Sequence, residues 1–87
     1  MYTFSVDNDW NKSFEIIPEN IKLQVIKKIN KICEAPHKRH LVGNASYFVG
    51  EVGQYRIIYR IFEDSNEVRF YFVGNHKSYE KWYKLFF

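Results

Sequence analysis

Cysteine is almost absent from this sequence, with Cys33 alone among 87 residues. A single cysteine excludes a disulfide within the chain and a zinc site built on cysteines. His37 and His40 lie close together, but no cysteine or carboxylate completes a set at familiar zinc spacing. We therefore expect no metal and no other cofactor. Cys33 lies in an apolar helical row, and we interpret it as a buried thiol of the core.

The sequence also lacks a long apolar run, an internal repeat and a low-complexity tract. No segment is long enough to span a membrane. The N-terminus, MYTFSVDNDW, has no basic stretch followed by an apolar one, which is the pattern of a secretion signal. We expect a single domain over residues 1–87, located in the cytoplasm and without a membrane partner.

The composition that is present favours a folded, mildly basic domain. Hydrophobic residues make up 46% of the chain and aromatic residues 20%, which argues against disorder. The net charge of +3 favours polyanionic partners, although small basic domains are common.

Two segments of alternating apolar residues, 54–62 and 67–73, predict antiparallel strands joined by a polar turn over 63–66. Alternation places every second side chain on one face. The residues expected on the covered face of the first strand are Tyr55, Ile57, Tyr59 and Ile61, and those sharing one face of the second are Val68, Phe70 and Phe72. The opposite face collects Arg56, Arg60, Arg69 and Tyr71. This concentration favours an anion-binding surface.

The remaining elements follow from helical spacing and from turn residues. The pattern predicts a short strand over 1–6, a short helix to about Ile17, and a longer helix from Pro18 to about Glu34. Residues 35–44, APHKRHLVGN, are predicted as a basic loop, and residues 45–50 as a strand. A helix-like segment opens with His76. The lysines of the longer helix lie mostly off its apolar stripe and are interpreted as a solvated face: Lys22, Lys27, Lys28 and Lys31.

This order of elements predicts an α+β fold. The sheet is small and dominated by antiparallel pairs, with an N-terminal helical hairpin on one face and a short C-terminal helix. A first strand parallel to the last one would be consistent with a long helical crossover.

Three segments together carry a family resemblance: APHKRHLVGN, EVGQYRIIYRI and FYFVGNHKSYEKWY. In this order they resemble the RelE/ParE toxin superfamily over nearly the whole chain, and its RelE-like branch in particular. The resemblance implies the toxin of a type II toxin–antitoxin system with a RelE-like fold. It also implies a metal-independent endoribonuclease, or mRNA interferase, that cleaves mRNA on the ribosome and inhibits translation. The implied partners are a cognate antitoxin, mRNA and the ribosome.

The resemblance also implies roles for individual residues. Arg56 resembles the phosphate-binding arginine of the family, and His76 the catalytic histidine or arginine just past the last strand. Tyr79, Trp82 and Tyr83 remain alternatives for a C-terminal catalytic or stacking aromatic residue. With the basic loop included, the residues expected to contact RNA are Lys38, Arg39, His40, Arg60, Lys77 and Trp82.

The chemistry of RNA cleavage fits these residue types. A ribonuclease without a metal needs a base near the 2′-OH, cations around the phosphate and an acid for the leaving 5′-oxygen. Arginine grips a phosphate in a bidentate way, which suits Arg56. Histidine titrates near neutral pH, which suits His76 for proton transfer, with Glu51 or His40 as second candidates.

Two other functions fit the same fold. One is a ParE-like toxin that poisons DNA gyrase through protein contacts. The other is an RNA-binding relative with weak or no catalysis, because paired lysines that some RelE toxins carry before this strand are not evident here and Glu51 is found instead. Fold alone does not separate these functions.

Overall fold

The computed structural model describes residues 1–36, 40–41 and 44–86, with the backbone alone at 40–41, 44–46 and 86. The elements in chain order are β1 (Thr3–Val6), α1 (Trp10–Glu15), α2 (Glu19–Glu34), β2 (His40–Leu41), β3 (Asn44–Val52), β4 (Tyr55–Phe62), β5 (Glu67–Asn75) and α3 (His76–Phe86). The strands form one sheet in the order β1-β5-β4-β3-β2. β1 runs parallel to β5, and the other neighbouring strands are antiparallel. These findings confirm the predicted α+β fold and the parallel first strand.

Two strands differ from the sequence prediction. β2 lies inside the segment predicted as a loop, where His40 pairs with Phe48 of β3. A strand of two residues is too short to show any alternation in sequence. β5 continues past Val73, because Gly74 and Asn75 pair with Arg56 and Tyr55 of β4. Pairing with a neighbouring strand here overrides the turn preference of glycine and asparagine.

The helical hairpin of α1 and α2 covers one face of the sheet. Trp10, Val25 and Ile32 pack in one core cluster with the β4 residues Ile57 and Tyr59. The predicted covered face of β4 is thus confirmed. Cys33 is 5% exposed within the same cluster, which confirms its place in the core.

α3 covers part of the opposite face. Its residues Tyr79 and Trp82 form a second buried cluster with Val49, Ile58 and Phe72 of the sheet. Both faces of the sheet are therefore covered, which explains why Ile58 is as fully buried as its neighbour on the hairpin side. Among the described residues, no helix is long and apolar enough to cross a membrane.

A β-bulge in β5 changes which side chains share a face. Ile58 pairs with Phe72 and Tyr59 pairs with Phe70, so Tyr71 is the extra residue. The prediction that Phe72 shares a face with Val68 and Phe70 is therefore wrong. Phe72 lies on the α3 face, and Val73 packs on the hairpin side. Strict alternation cannot reveal a bulge, because it assumes one partner for each residue.

Candidate functional site

A cleft of about 520 Å³ opens where the β3–β4 turn, the end of β5 and the start of α3 meet. Its walls are formed by Glu51, Gly53, Gln54, Tyr55, Arg56, Asn75, His76 and Lys77. We call it the Arg56 cleft. Three residues singled out from the sequence, Arg56, His76 and Lys77, are thus brought together, with Glu51 beside them.

The register of the sheet explains why these residues meet. Arg56 is paired with Glu51 of β3 on one side and with Gly74 of β5 on the other. A Cβ atom at Gly74 would lie 2.8 Å from Cζ of Phe72 and 2.9 Å from Cβ of Ser78, closer than real Cβ contacts. Glycine at this position therefore lets α3 start immediately after β5. His76 is consequently held at the end of the strand beside Arg56.

The first turn of α3 is fixed by two side-chain interactions. The Oδ1 atom of Asn75 accepts a hydrogen bond from the Ser78 N–H at 3.0 Å, which satisfies one of the unpaired amides at the helix start. His76 Nε2 lies 2.9 Å from Oε1 of Glu80, one helical turn further on. The His76 side chain is 62% exposed, so the imidazole is accessible while Glu80 restrains it.

Arg56 is held from the other side by an aromatic ring. Its guanidinium carbon lies 4.8 Å from the ring centroid of Tyr79, the geometry of a cation–π contact. The rings of Tyr79 and Tyr83 follow with centroids 6.0 Å apart. Arg56 also borders a second cleft of about 390 Å³, which we call the Tyr79 cleft; its walls are formed by Arg56, Tyr79, Glu80, Tyr83 and Lys84. Arg56 therefore borders two clefts, and the walls of these clefts also include His76, Tyr79 and Tyr83.

Two of the expected RNA-contacting residues lie elsewhere. Trp82 is 8% exposed, and its ring stacks on Phe72 with centroids 5.5 Å apart. This position does not fit base stacking, since helical spacing turns Trp82 towards the sheet. The guanidinium carbon of Arg60 lies 5.4 Å from the Tyr47 ring and 5.1 Å from the Phe62 ring, and Arg60 borders neither cleft.

The structure describes only part of the predicted basic loop. Lys38 and Arg39 lie outside the described residues, as does the side chain of His40. The segment before them is anchored, because the Tyr59 hydroxyl donates a hydrogen bond of 2.8 Å to the Pro36 carbonyl. Burial raises the pKa of Tyr59 to about 12, so the hydroxyl stays protonated as a donor at neutral pH.

Sequence reasoning missed Glu80 and Lys84. Both line the Tyr79 cleft, and Glu80 also contacts His76. The signal was available in the spacing, because residues four apart on a helix are neighbours and a helix beginning at His76 was predicted. Among the described residues, no group of three or more histidines, cysteines or carboxylates is placed to hold a metal ion.

The solved structures that resemble the chain share its fold at low sequence identity. Isolated E. coli RelE toxin matches with a TM-score of 0.78 at 19% identity, covering 100% of both chains. The toxin–antitoxin complex RelBE of E. coli gives 0.78 at 20% identity, covering 86% of this chain and 96% of the other. RelBE2 of Mycobacterium tuberculosis gives 0.77 at 22% identity, covering 86% and 98%.

Comparison of sequences identifies the family. No curated protein matches the chain significantly. A family model does match, over residues 2–78, and it describes the ParE toxin of the type II toxin–antitoxin system parDE. The match covers most of the chain and agrees with the resemblance found in its motifs. The chain therefore belongs to the ParE toxin family of type II toxin–antitoxin systems, within the RelE/ParE superfamily.

Proposed function

We propose that this toxin is an endoribonuclease that cleaves mRNA and so inhibits translation. The observation that carries the proposal is the meeting of Arg56, His76 and Lys77 in one cleft, at the point where the sheet ends and α3 begins. An arginine, a histidine and a lysine around one space can supply the positive charge and the proton transfer that phosphodiester cleavage without a metal needs.

In the proposed complex, Arg56 binds the scissile phosphate. Guanidinium donors match two phosphate oxygens at once, and the ring of Tyr79 behind the guanidinium restricts its orientation. Lys77 adds positive potential where negative charge grows on the phosphate. Tyr83, half-buried at the rim of the Tyr79 cleft, is placed to stack on a base next to the cut.

His76 transfers the proton. Nε2 lies 2.9 Å from the Glu80 carboxylate, and the proposal assigns the ring hydrogen to Nε2 and the basic lone pair to Nδ1. Nδ1 takes the proton of the 2′-OH as the 2′-oxygen attacks phosphorus. The bond from phosphorus to the 5′-oxygen breaks, and the protonated ring returns the proton to that oxygen. The products are a 2′,3′-cyclic phosphate and a 5′-hydroxyl, so atoms and charge balance without a further reactant.

The proposal includes two partners. A cognate antitoxin would silence the toxin, as supported by the solved complexes of RelE with RelB. The ribosome would present the mRNA in the cytoplasm, where translation takes place. Arg56, His76 and Lys77 all belong to this chain, so the proposed chemistry takes no catalytic group from the antitoxin or the ribosome.

Cell-free translation tests the proposal. Wild-type protein, Arg56→Ala and His76→Ala are added to an extract, and primer extension locates breaks in the mRNA. We expect inhibition and breaks with wild type, and at least a roughly 100-fold loss in each variant, because each removes a group that acts in the transition state. Lys12→Ala, an exposed lysine of α1, is the matched control. Intact mRNA with folded wild-type protein would refute the nuclease proposal.

A second candidate function is retained because the matching family model describes ParE. A ParE-like toxin would poison DNA gyrase through protein contacts and would not need His76. Inducing the toxin in a single bacterial strain distinguishes the two functions. DNA breaks after induction, with mRNA intact and with His76→Ala fully toxic, would favour the gyrase poison over the nuclease.

A further inference from the structure

Two smaller clefts adjoin the Arg56 cleft on the side of α2. One, of about 270 Å³, lies between Lys28 and Lys31 of α2 and the edge of β3. The other, of about 240 Å³, is bordered by Lys27, the same two lysines and the β3–β4 turn at Gly53. Glu51 borders all three clefts. The three clefts share wall residues around the β3–β4 turn, and we call them together the α2 groove.

The α2 groove is strongly positive. Its walls carry five lysine and arginine side chains and one carboxylate; these are Lys27, Lys28, Lys31, Arg56, Lys77 and Glu51. Within the described part of the chain, none of the three α2 lysines forms an ion pair, whereas Lys22 pairs with Glu19 at 3.2 Å. The ammonium groups of the three α2 lysines are therefore available to bind an anionic ligand.

Packing against β3 and helical spacing determine where these lysine side chains lie. Lys28 is half-buried, and its Cε atom lies 3.7 Å from the site of a Cβ at Gly50, so its stem rests on β3 and its ammonium group stays at the groove. Lys27 and Lys31 are one helical turn apart, which is about 6 Å along the axis. This arrangement offers successive cations beside clefts that share Glu51 with the Arg56 cleft.

We propose that the α2 groove binds single-stranded RNA that continues from the Arg56 cleft, with its phosphates along Lys27, Lys28 and Lys31. This inference rests on the proposed function, because it extends the substrate of the same site. It replaces the interpretation of these lysines as a solvated face.

Fluorescence anisotropy with a labelled RNA of about 12 nucleotides tests the groove. The RNA carries 2′-O-methyl groups throughout, which removes the nucleophile and leaves binding alone to be measured. We expect Lys28→Ala/Lys31→Ala to weaken binding roughly tenfold and to lower the slope of log K against log salt by about 1.4, since each lost phosphate contact contributes about 0.7.

The control is Lys12→Ala/Lys81→Ala, which removes the same charge from exposed lysines outside the groove. Equal weakening in both double variants would overturn the groove, because general charge would then explain the binding. A poly-glutamate competitor of equal charge that displaces the RNA as well as unlabelled RNA does would also overturn it, in favour of an acidic peptide site. Lys28→Gln/Lys31→Gln, which removes the same two charges but keeps long polar side chains on α2, gives the same reading if the alanine variants fold poorly.

The outcomes also separate this inference from the proposed function. Groove-dependent RNA binding by a wild-type protein that cuts no mRNA would support the groove and refute the nuclease. Cleavage by wild type, with both double variants binding alike, would support the nuclease and refute the groove.

Discussion

At the scale of single residues, the contact between His76 and Glu80 decides how the imidazole is presented. A carboxylate that accepts from one ring nitrogen fixes the tautomer and leaves the other nitrogen as the base. Here the contact of 2.9 Å connects successive turns of α3, so the helix itself holds the ring in place. In the proposed mechanism, Glu80 is therefore a positioning residue, acting through His76 rather than on the substrate.

Glu80→Ala should lower mRNA cleavage by roughly tenfold, because the ring loses its acceptor and samples both tautomers. Nitrogen NMR shifts of the His76 ring should move from an Nε2–H form towards a mixture of tautomers. Glu80→Gln keeps an acceptor oxygen in place and should restore most of the activity. Glu15→Ala, an exposed carboxylate of α1, serves as the control. An unchanged tautomer in Glu80→Ala would contradict the positioning role.

At the scale of elements, β1 is joined to β5 by polar side chains as well as by its backbone. The Ser5 hydroxyl donates a hydrogen bond to Glu67, and the Arg69 guanidinium lies 3.3 Å from the same carboxylate. The hydrogen bond from Ser5 and the charge of Arg69 lower the pKa of Glu67 despite partial desolvation. This network ties the N-terminal strand to the strand that ends at the candidate site.

The lowered pKa makes the attachment of β1 sensitive to acid. Since the carboxyl binds protons more weakly in the folded state, its contribution to stability is present above the unfolded pKa and is lost as pH falls through the folded pKa. Ser5→Ala should raise the pKa of Glu67 towards its ordinary value. It should reduce stability near neutral pH, and this difference from wild type should shrink below about pH 4. Carboxyl NMR titration and urea unfolding measure the two effects; a difference independent of pH would contradict this account.

At the scale of the whole molecule, Tyr59 connects the two layers. Its ring stacks on Phe48 with centroids 5.6 Å apart, and its hydroxyl reaches the Pro36 carbonyl beyond the end of α2. The sheet and the helical hairpin are therefore joined by one buried side chain that is both apolar and polar.

Tyr59→Phe should lower the free energy of unfolding by about 1–3 kcal/mol, because it leaves the Pro36 carbonyl without its buried donor while the ring packing is kept. Wild type should also lose stability as pH rises from about 10 to about 12, since the pKa of Tyr59 is about 12 in the folded state and lower in the unfolded chain. That part of the alkaline loss should be missing in Tyr59→Phe. Urea unfolding at neutral and alkaline pH provides both numbers, and equal curves for the two proteins would refute the role of the hydroxyl.

Sequence periodicity predicted most of this architecture, because the helices and the β4 strand are regular. The alternation of Tyr55 to Ile61 corresponds to the covered face of β4, and most of the apolar stripe of α2 is buried, although Ile26 in that stripe is 49% exposed. Sequence periodicity could not predict the bulge at Tyr71 or the two-residue β2, since both depend on the partner strand and not on the local pattern.

For the candidate site too, short motifs could be recognised in the sequence, whereas contacts between distant segments could not. Arg56 and His76 were identified from motifs along the chain, and the structure brings them into one cleft. The burial of Trp82 depends on how α3 settles on the sheet. The clefts at the α2 lysines adjoin the Arg56 cleft through packing between distant segments, which no single stretch of sequence encodes.

The bulge bears on how the length of this strand can vary among relatives. β5 holds one residue more than β4 requires, and Tyr71 is that residue. A chain without it would pair Phe70 and Phe72 with consecutive residues of β4 as a regular ladder, and Gly74 would still face Arg56. Losing a residue further from the bulge, such as Arg69 or Val73, would move part of the strand to the opposite face. Relatives that differ by one residue at this point can therefore share the same cleft, and an alignment should place the gap at Tyr71.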